Sequence, residues 1–141
     1  MSKLTREEMD RVIDEHFGYE AKDDIDGVVS TLTDDVEHDV VGSPGSQVMG
    51  REAARRYYQG LFPYLKAESV QPLRRLYGED FMIDETLWTG HITARVLGAP
   101  SGEGRVSFRL LHILEFRDGK ISRENVWTDM PTIMRQLDQT A

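Results

Sequence analysis

Residues 105–121 read Arg-Val-Ser-Phe-Arg-Leu-Leu-His-Ile-Leu-Glu-Phe-Arg-Asp-Gly-Lys-Ile, and this stretch decides the fold. Its first twelve residues alternate between two faces, which predicts a strand over 105–116. One face carries Val106, Phe108, Leu110, His112 and Leu114. Arg-Asp-Gly-Lys at 117–120 has the composition of a tight hairpin turn, and it leads into a last strand over 121–128. The pattern therefore predicts an antiparallel sheet in the second half of the chain.

The neighbouring segments extend this sheet. A second long strand is predicted over 80–97, joined to the first by the glycine-containing turn at 98–104. A shorter strand is predicted over 36–41, and the Gly-Ser-Pro-Gly turn at 42–45 ends it.

Helical patterns precede and follow these strands. Thr5-Arg6-Glu7-Glu8 is a capping box, and the apolar face behind it includes His16. A short second helix is predicted after the acidic residues 23–26 and runs to Leu32, and a third opens at 50–52 with candidate buried positions as far as Leu65. A terminal helix starts at 130–132. Helices grouped apart from a run of strands predict an α+β fold, with the helices packed on one face of the sheet.

Composition excludes several classes of function. The chain has 141 residues, which suits one domain over 1–141, and it has no cysteine to act as a nucleophile or a thiolate ligand. Its net charge of −8 disfavours binding to nucleic acid or to an anionic membrane surface. Since no secretory or membrane-spanning segment is evident, we expect a cytoplasmic protein with neither nucleic acid nor membrane as a partner.

Four motifs resemble the NTF2-like superfamily, specifically its SnoaL-like and ketosteroid isomerase-like members. They are Asp-Ile-Asp-Gly-Val-Val at 24–29, Val-Glu-His-Asp-Val-Val-Gly at 36–42, the helix opening at 50–58, and the strand and turn at 112–121. The ending Trp127-Thr128-Asp129 is similar to that of many SnoaL-like sequences, and the resemblance extends from about Glu7 to Leu137. It implies a cone in which three N-terminal helices pack on a curved antiparallel sheet around an apolar pocket.

The resemblance implies a catalytic base at Asp39. In ketosteroid isomerases a strand similar to 37–42 carries the proton-shuttling aspartate, although Val40 here replaces their proline. A carboxylate at the mouth of an apolar pocket has its charged form disfavoured, which suits such a base. The structural alternative is a solvated aspartate at the end of a strand.

His112 is the second candidate, because it is a lone titratable group on an apolar strand face. By resemblance it lies near the oxyanion-hole aspartic acid of ketosteroid isomerases. On the same grounds His16 corresponds to their oxyanion-hole tyrosine, and Tyr58 to a supporting tyrosine for which Tyr57 is the rival. The alternative for each of these residues is a core side chain satisfied by hydrogen bonds.

Asp129 has two interpretations as well. An Asp before Met-Pro caps the terminal helix, whereas SnoaL-like cyclases use an aspartate near this point as an acid or base. Trp127 is expected in the pocket wall together with Phe108 and Leu110, and His91 is similar to a histidine of scytalone dehydratase.

These residues predict an enzyme that transfers protons on a hydrophobic, oxygenated small molecule, such as a polyketide or a steroid-like ketone, without a cofactor. Cyclisation, isomerisation and dehydration remain open, and the alternative is a binding or dimerisation module. No metal is expected, because no two histidines have the spacing that presents two ligands from one element. The apolar residues Leu111 and Ile113 on the outer face of their strand predict a homodimer through the sheet.

Overall fold

Six strands form one curved sheet in the computed structural model, which describes residues 3–139. The strand order is β2-β1-β6-β5-β4-β3; β1 and β6 are parallel and the other neighbours antiparallel. The strands are β1 Leu32–Val40, β2 Val48–Met49, β3 Leu65–Tyr77, β4 Phe81–Thr93, β5 Glu103–Arg117 and β6 Lys120–Thr128. The helices are α1 Arg6–Ala21, α2 Ile25–Ser30, α3 Arg51–Leu61 and α4 Met130–Gln139.

The expected α+β class is confirmed. Three of the four α helices precede the long strands, and α4 follows the last one. The capping box at Thr5 is present: its hydroxyl accepts from the backbone N–H of Glu8, whose carboxylate accepts from the N–H of Thr5. Asp24 caps α2 by accepting from the N–H of Gly27.

The element boundaries differ from the prediction in several places. The strand predicted over 80–97 ends at Thr93, where a short 3-10 helix, Ala94–Leu97, follows, and the two-residue strand β2 was not predicted. The second helix ends at Ser30, and β1 begins at Leu32 rather than at Val36. The third helix ends at Leu61, and a short 3-10 helix, Phe62–Tyr64, carries the chain through Pro63 into β3. Strand β3 is absent from the prediction because its side chains are largely exposed on both faces, which leaves no alternation to detect. As an edge strand it also tolerates Pro72.

The inward faces of the long strands form the core. On β5 the inward side chains include Val106, Phe108, His112 and Leu114, as the alternation predicts. Leu111 and Ile113 lie on the outer face of the sheet, where they are half-buried in the isolated chain.

A β-bulge in β6 changes which of its residues face inward. One step along β5, from Glu115 to Phe116, corresponds to two steps along β6, from Arg123 to Ile121. Ser122 is therefore an extra residue, and the faces exchange after it. The carboxylate of Glu124 consequently points into the core, where the side chain is 2 % exposed.

The absence of a side chain at Gly90 permits the close approach of β3 to β4. A methyl group there would lie 2.2 Å from the carbonyl oxygen of Lys66 and 2.9 Å from the Trp88 ring. We expect Gly90→Ala to lower the free energy of unfolding by about 2–3 kcal/mol, because backbone atoms must move. Gly18→Ala is the control: at this exposed helical site nothing lies within 4 Å, and a gain of about 1 kcal/mol is expected. Urea denaturation measures both, and a neutral Gly90→Ala would contradict the prediction.

Candidate active site

An apolar cavity opens between α1, the end of α3 and the inward face of the sheet. Its outer chamber has a volume of about 240 Å³ and continues into an inner chamber of about 90 Å³. The two chambers share Glu20, Phe62, Leu65, Trp88, Leu110 and His112. A concave apolar site with a few polar groups at its inner end is the usual form of a small-molecule site.

A group of polar side chains, here called the inner cluster, meets at the inner end of this cavity. Its centre is the carboxylate of Glu124, to which Tyr58 donates a hydrogen bond of 3.1 Å. Nε2 atoms of three histidines surround the same carboxylate at 3.5, 3.9 and 3.6 Å, those of His16, His38 and His112 respectively. The remaining member is Glu20, on the last turn of α1.

The neighbours of His16 fix a hydrogen on its Nδ1. The hydroxyl of Thr31 donates its one hydrogen to the carbonyl oxygen of Val28, so it accepts from Nδ1–H of His16 at 2.7 Å. The other nitrogen, Nε2, is directed at the carboxylates of Glu20, at 3.1 Å, and Glu124, at 3.5 Å. Neither approach has hydrogen-bond geometry, and this fully buried nitrogen has no hydrogen-bond partner.

Burial and charge oppose each other within the inner cluster. Burial disfavours the charged form of His16, but the carboxylates of Glu124 and Glu20 outweigh it and raise the pKa of His16 to about 10. Burial likewise disfavours the Glu124 carboxylate, yet the neighbouring histidines, foremost His16, hold the pKa of Glu124 well below its usual range. Burial and the charge of Glu124 raise the pKa of Tyr58 well above its ordinary value, so its hydroxyl stays protonated.

His112 connects the inner cluster to the cavity. Its ring lies 5.1 Å from that of Phe17 and lines both chambers. Nε2 faces Glu124, whereas Nδ1 is buried without a hydrogen-bond partner. An Nε2–H directed at the carboxylate leaves the lone pair of Nδ1 free to accept a proton.

The structure brings five of the predicted residues to this region. His112, Phe108, Leu110 and Tyr58 line the inner chamber, and His16 lies behind it in the inner cluster. Phe108 packs on Trp88, with 5.5 Å between ring centroids.

The structure contradicts the expected position of Asp39 at the pocket mouth. In β1 the buried side chains are Val36, His38 and Val40, so Asp39 points to the opposite face. There its carboxylate has only long contacts, of 3.4–3.5 Å, with polar groups of Ser46, Gln47 and Asn125.

Four other candidates also lie away from the cavity lining. Asp129 caps α4: its carboxylate accepts from the N–H and hydroxyl of Thr132, and this hydroxyl holds the pKa of Asp129 below its ordinary value. Trp127 is 37 % exposed on the outer face, because the β6 bulge reverses the expected orientation. His91 is exposed beside Glu103, and Tyr57 shares a hydrogen bond with Ser43.

Two residues of the inner cluster, Glu20 and Glu124, were missed at the sequence level, and His38 was weighed only as a possible metal ligand. Glu20 follows His16 by four residues, a spacing that places both on one helix face. His38 shares its strand face with the apolar residues Val36 and Val40. Because an apolar face is the buried one, the alternation along β1 indicates that His38 points inward. Nothing in the local pattern indicates Glu124, because the bulge moves it.

A curved sheet that encloses an apolar cavity with buried acid and imidazole groups is the architecture of the NTF2-like class. Residues 13–124 match the family model of the SnoaL-like domain, and the chain belongs to this family. No curated protein matches the chain. Within residues 3–139, no helix is both long enough and apolar enough to cross a membrane.

Solved structures share this fold at low sequence identity. TsrD from Streptomyces laurentii is 18% identical with a TM-score of 0.76, over 96% of this chain and 98% of that one. An LEH-like epoxide hydrolase from M. tuberculosis is 19% identical, with a TM-score of 0.70 over 92% and 88%. A ketosteroid isomerase-like fold from Catenulispora acidiphila, in complex with trimethylamine, is 15% identical, with a TM-score of 0.71 over 90% and 92%. Similarity at this level concerns the fold alone.

Proposed function

We propose that this protein is a SnoaL-like enzyme that transfers protons on a small, mainly apolar, oxygenated molecule bound in the cavity. The observation that carries the proposal is the position of His112, whose ring lines the apolar cavity and whose buried Nδ1 has no hydrogen-bond partner among the described residues. Aldol cyclisation, and isomerisation or dehydration beside a carbonyl group, can each begin with such a transfer at the α carbon.

In this mechanism Nδ1 of His112 accepts the α proton of the ligand, and the electron pair moves to the carbonyl oxygen to form an enolate. Glu124 orients the imidazole through Nε2 and stabilises the imidazolium that forms. Return of the proton to another carbon gives isomerisation, and its transfer to a departing hydroxyl gives dehydration. Attack of the enolate on a second carbonyl, followed by protonation of the alkoxide, gives cyclisation.

The direct test follows α-proton exchange. The protein is incubated in D₂O with a panel of cyclic and aromatic ketones, and deuterium incorporation is measured by NMR. We expect the protein to accelerate exchange of those ketones that bind in the cavity. If ketones bind in the cavity but their exchange is not accelerated, the proposal that the protein is an enzyme is contradicted.

That outcome would favour a binding module instead. The observation favouring this alternative is the deep burial of the inner cluster, in which Glu124 and His16 are 2 % and 0 % exposed. The trimethylamine complex of the Catenulispora neighbour supports the general point that this fold holds small molecules.

The outer face of the sheet is proposed as a homodimer interface. Leu111 and Ile113 are half-buried there, and Trp127 lies opposite Leu111 in the register of β5 and β6. We expect sedimentation at micromolar concentration to give twice the chain mass of 16.1 kDa. Leu111→Glu combined with Ile113→Glu is expected to give monomers, because two carboxylates cannot be buried unpaired. If the wild type sediments as a monomer, the dimer is excluded. If the double variant is still a dimer, the interface does not lie on this face.

A further inference from the structure

Three ligand-type atoms converge in the inner cluster without being hydrogen-bonded to one another. Nε2 of His16 lies 3.1 Å from a carboxylate oxygen of Glu20 and 3.5 Å from one of Glu124, and the three atoms fit within 4.8 Å of each other. Ligand atoms that share one ion at about 2.1 Å are roughly 3.0–3.4 Å apart in octahedral or tetrahedral geometry. The two distances from Nε2 are therefore close to those of ligands that share one ion.

The supporting contacts also suit a metal ligand. Thr31 accepts a hydrogen bond from Nδ1–H of His16, so an ion that displaces the Nε2 proton meets a lone pair directed at the two carboxylates. Metal-binding histidines have this arrangement, in which the second ring nitrogen donates to a neighbouring oxygen. Tyr58 fixes Glu124 in the same way, through its hydroxyl.

Charge provides a separate argument. The two carboxylates lie close together at the inner end of an apolar cavity, and among residues 3–139 no lysine or arginine forms an ion pair with either. A proton on His16 balances one of these charges. A divalent cation balances both, and Glu20 borders both chambers of the cavity.

We propose that His16, Glu20 and Glu124 bind one divalent transition-metal ion of the Zn²⁺ type. One imidazole nitrogen and two carboxylate oxygens are donors that such ions accept, and the chain has no cysteine to compete. The inference departs from the expectation of no metal, which counted only pairs of histidines. Here α1 supplies two ligands four residues apart, His16 and Glu20, and β6 supplies the third, Glu124.

Such an ion could also take part in the reaction proposed for the cavity. Held by His16, Glu20 and Glu124, the ion would supply a Lewis acid for a carbonyl oxygen of a ligand in the inner chamber. Its binding does not depend on the proposed proton transfer, since metal affinity is measured without any organic ligand.

Metal titration of the untagged chain tests the proposal. After dialysis against a chelator, Zn²⁺ is titrated by calorimetry and Co²⁺ by its visible absorption. We expect one ion per chain, with a Co²⁺ spectrum typical of nitrogen and oxygen ligands. Glu20→Gln and His16→Gln are each expected to weaken binding by more than the roughly 10–100-fold that loss of a supporting contact costs.

The matched control is His91→Gln, which removes an exposed histidine that is not part of the inner cluster and should bind as the wild type does. Circular dichroism checks that each variant is folded. If His16→Gln fails to fold, Glu20→Gln decides, because its side chain is half-exposed at the end of α1. Absence of one-to-one binding, or equal affinity of Glu20→Gln and His91→Gln, would overturn the proposal.

Discussion

Replacement of Arg75 by methionine is expected to lower the free energy of unfolding by about 3–5 kcal/mol. The guanidinium group connects β3 and β4 to α1, with hydrogen bonds of 2.8 Å to Asp84, 3.0 Å to Asp10 and 2.9 Å to Asp14. Asp84 is 0 % exposed, and the only other hydrogen-bond donor to its carboxylate among residues 3–139 is the hydroxyl of Thr86. Without Arg75 a buried carboxylate is left without a cation, which is among the most costly changes that one substitution makes.

Two further variants show whether the buried charge is the cause. Arg74→Met changes the exposed neighbour on the same strand and should alter stability by no more than about 0.5 kcal/mol. Asp84→Leu combined with Arg75→Met removes both charges and should be more stable than Arg75→Met alone. Urea denaturation followed by tryptophan fluorescence measures all three. A double variant no more stable than Arg75→Met would contradict the explanation by an unpaired carboxylate.

The parts of the fold that the sequence predicts well are those in which local preference and burial agree. β5 alternates strictly because one of its faces covers the core, and α1 begins where a capping box satisfies its first N–H groups. The hairpin between β5 and β6 is fixed by Asp118 and Gly119, which both adopt positive φ.

Edge strands and bulges were not predictable in this way. β3 buries little on either face, so its sequence has no period to detect. The extra residue Ser122 in β6 reverses which face of the sheet each later residue of that strand occupies. This one insertion explains both the missed Glu124 and the wrong orientation of Trp127, since strand faces depend on an unbroken count of residues.

The error at Asp39 has a different origin. The resemblance to ketosteroid isomerases placed a base at this position, whereas the chain's own pattern is polar at Glu37 and Asp39 and apolar at Val36 and Val40. A buried face takes the apolar set, and His38 lies on it. Polarity along β1 therefore predicts the inward residue better than the family motif does, because packing of this chain determines the face.

The second large effect is expected at His112. His112→Gln keeps a polar side chain of similar length but removes the basic imidazole of a residue that lines the cavity. We expect ketone exchange in D₂O to fall by roughly 10²–10⁴-fold, the usual contribution of a positioned acid or base. The dissociation constant of the same ketone should change little, because Phe17, Trp88 and Leu110 still supply the apolar walls.

The comparison of rate with affinity separates chemistry from packing. A collapse of the cavity would weaken binding and exchange together, whereas loss of the proton acceptor lowers exchange at saturating ketone. His91→Gln is the control, since this histidine is exposed and should leave both quantities unchanged. If His112→Gln exchanged protons as fast as the wild type, the acceptor would have to be another group of the cavity. Glu20 would then be the next residue to replace, because it alone among the remaining acids of residues 3–139 lines both chambers.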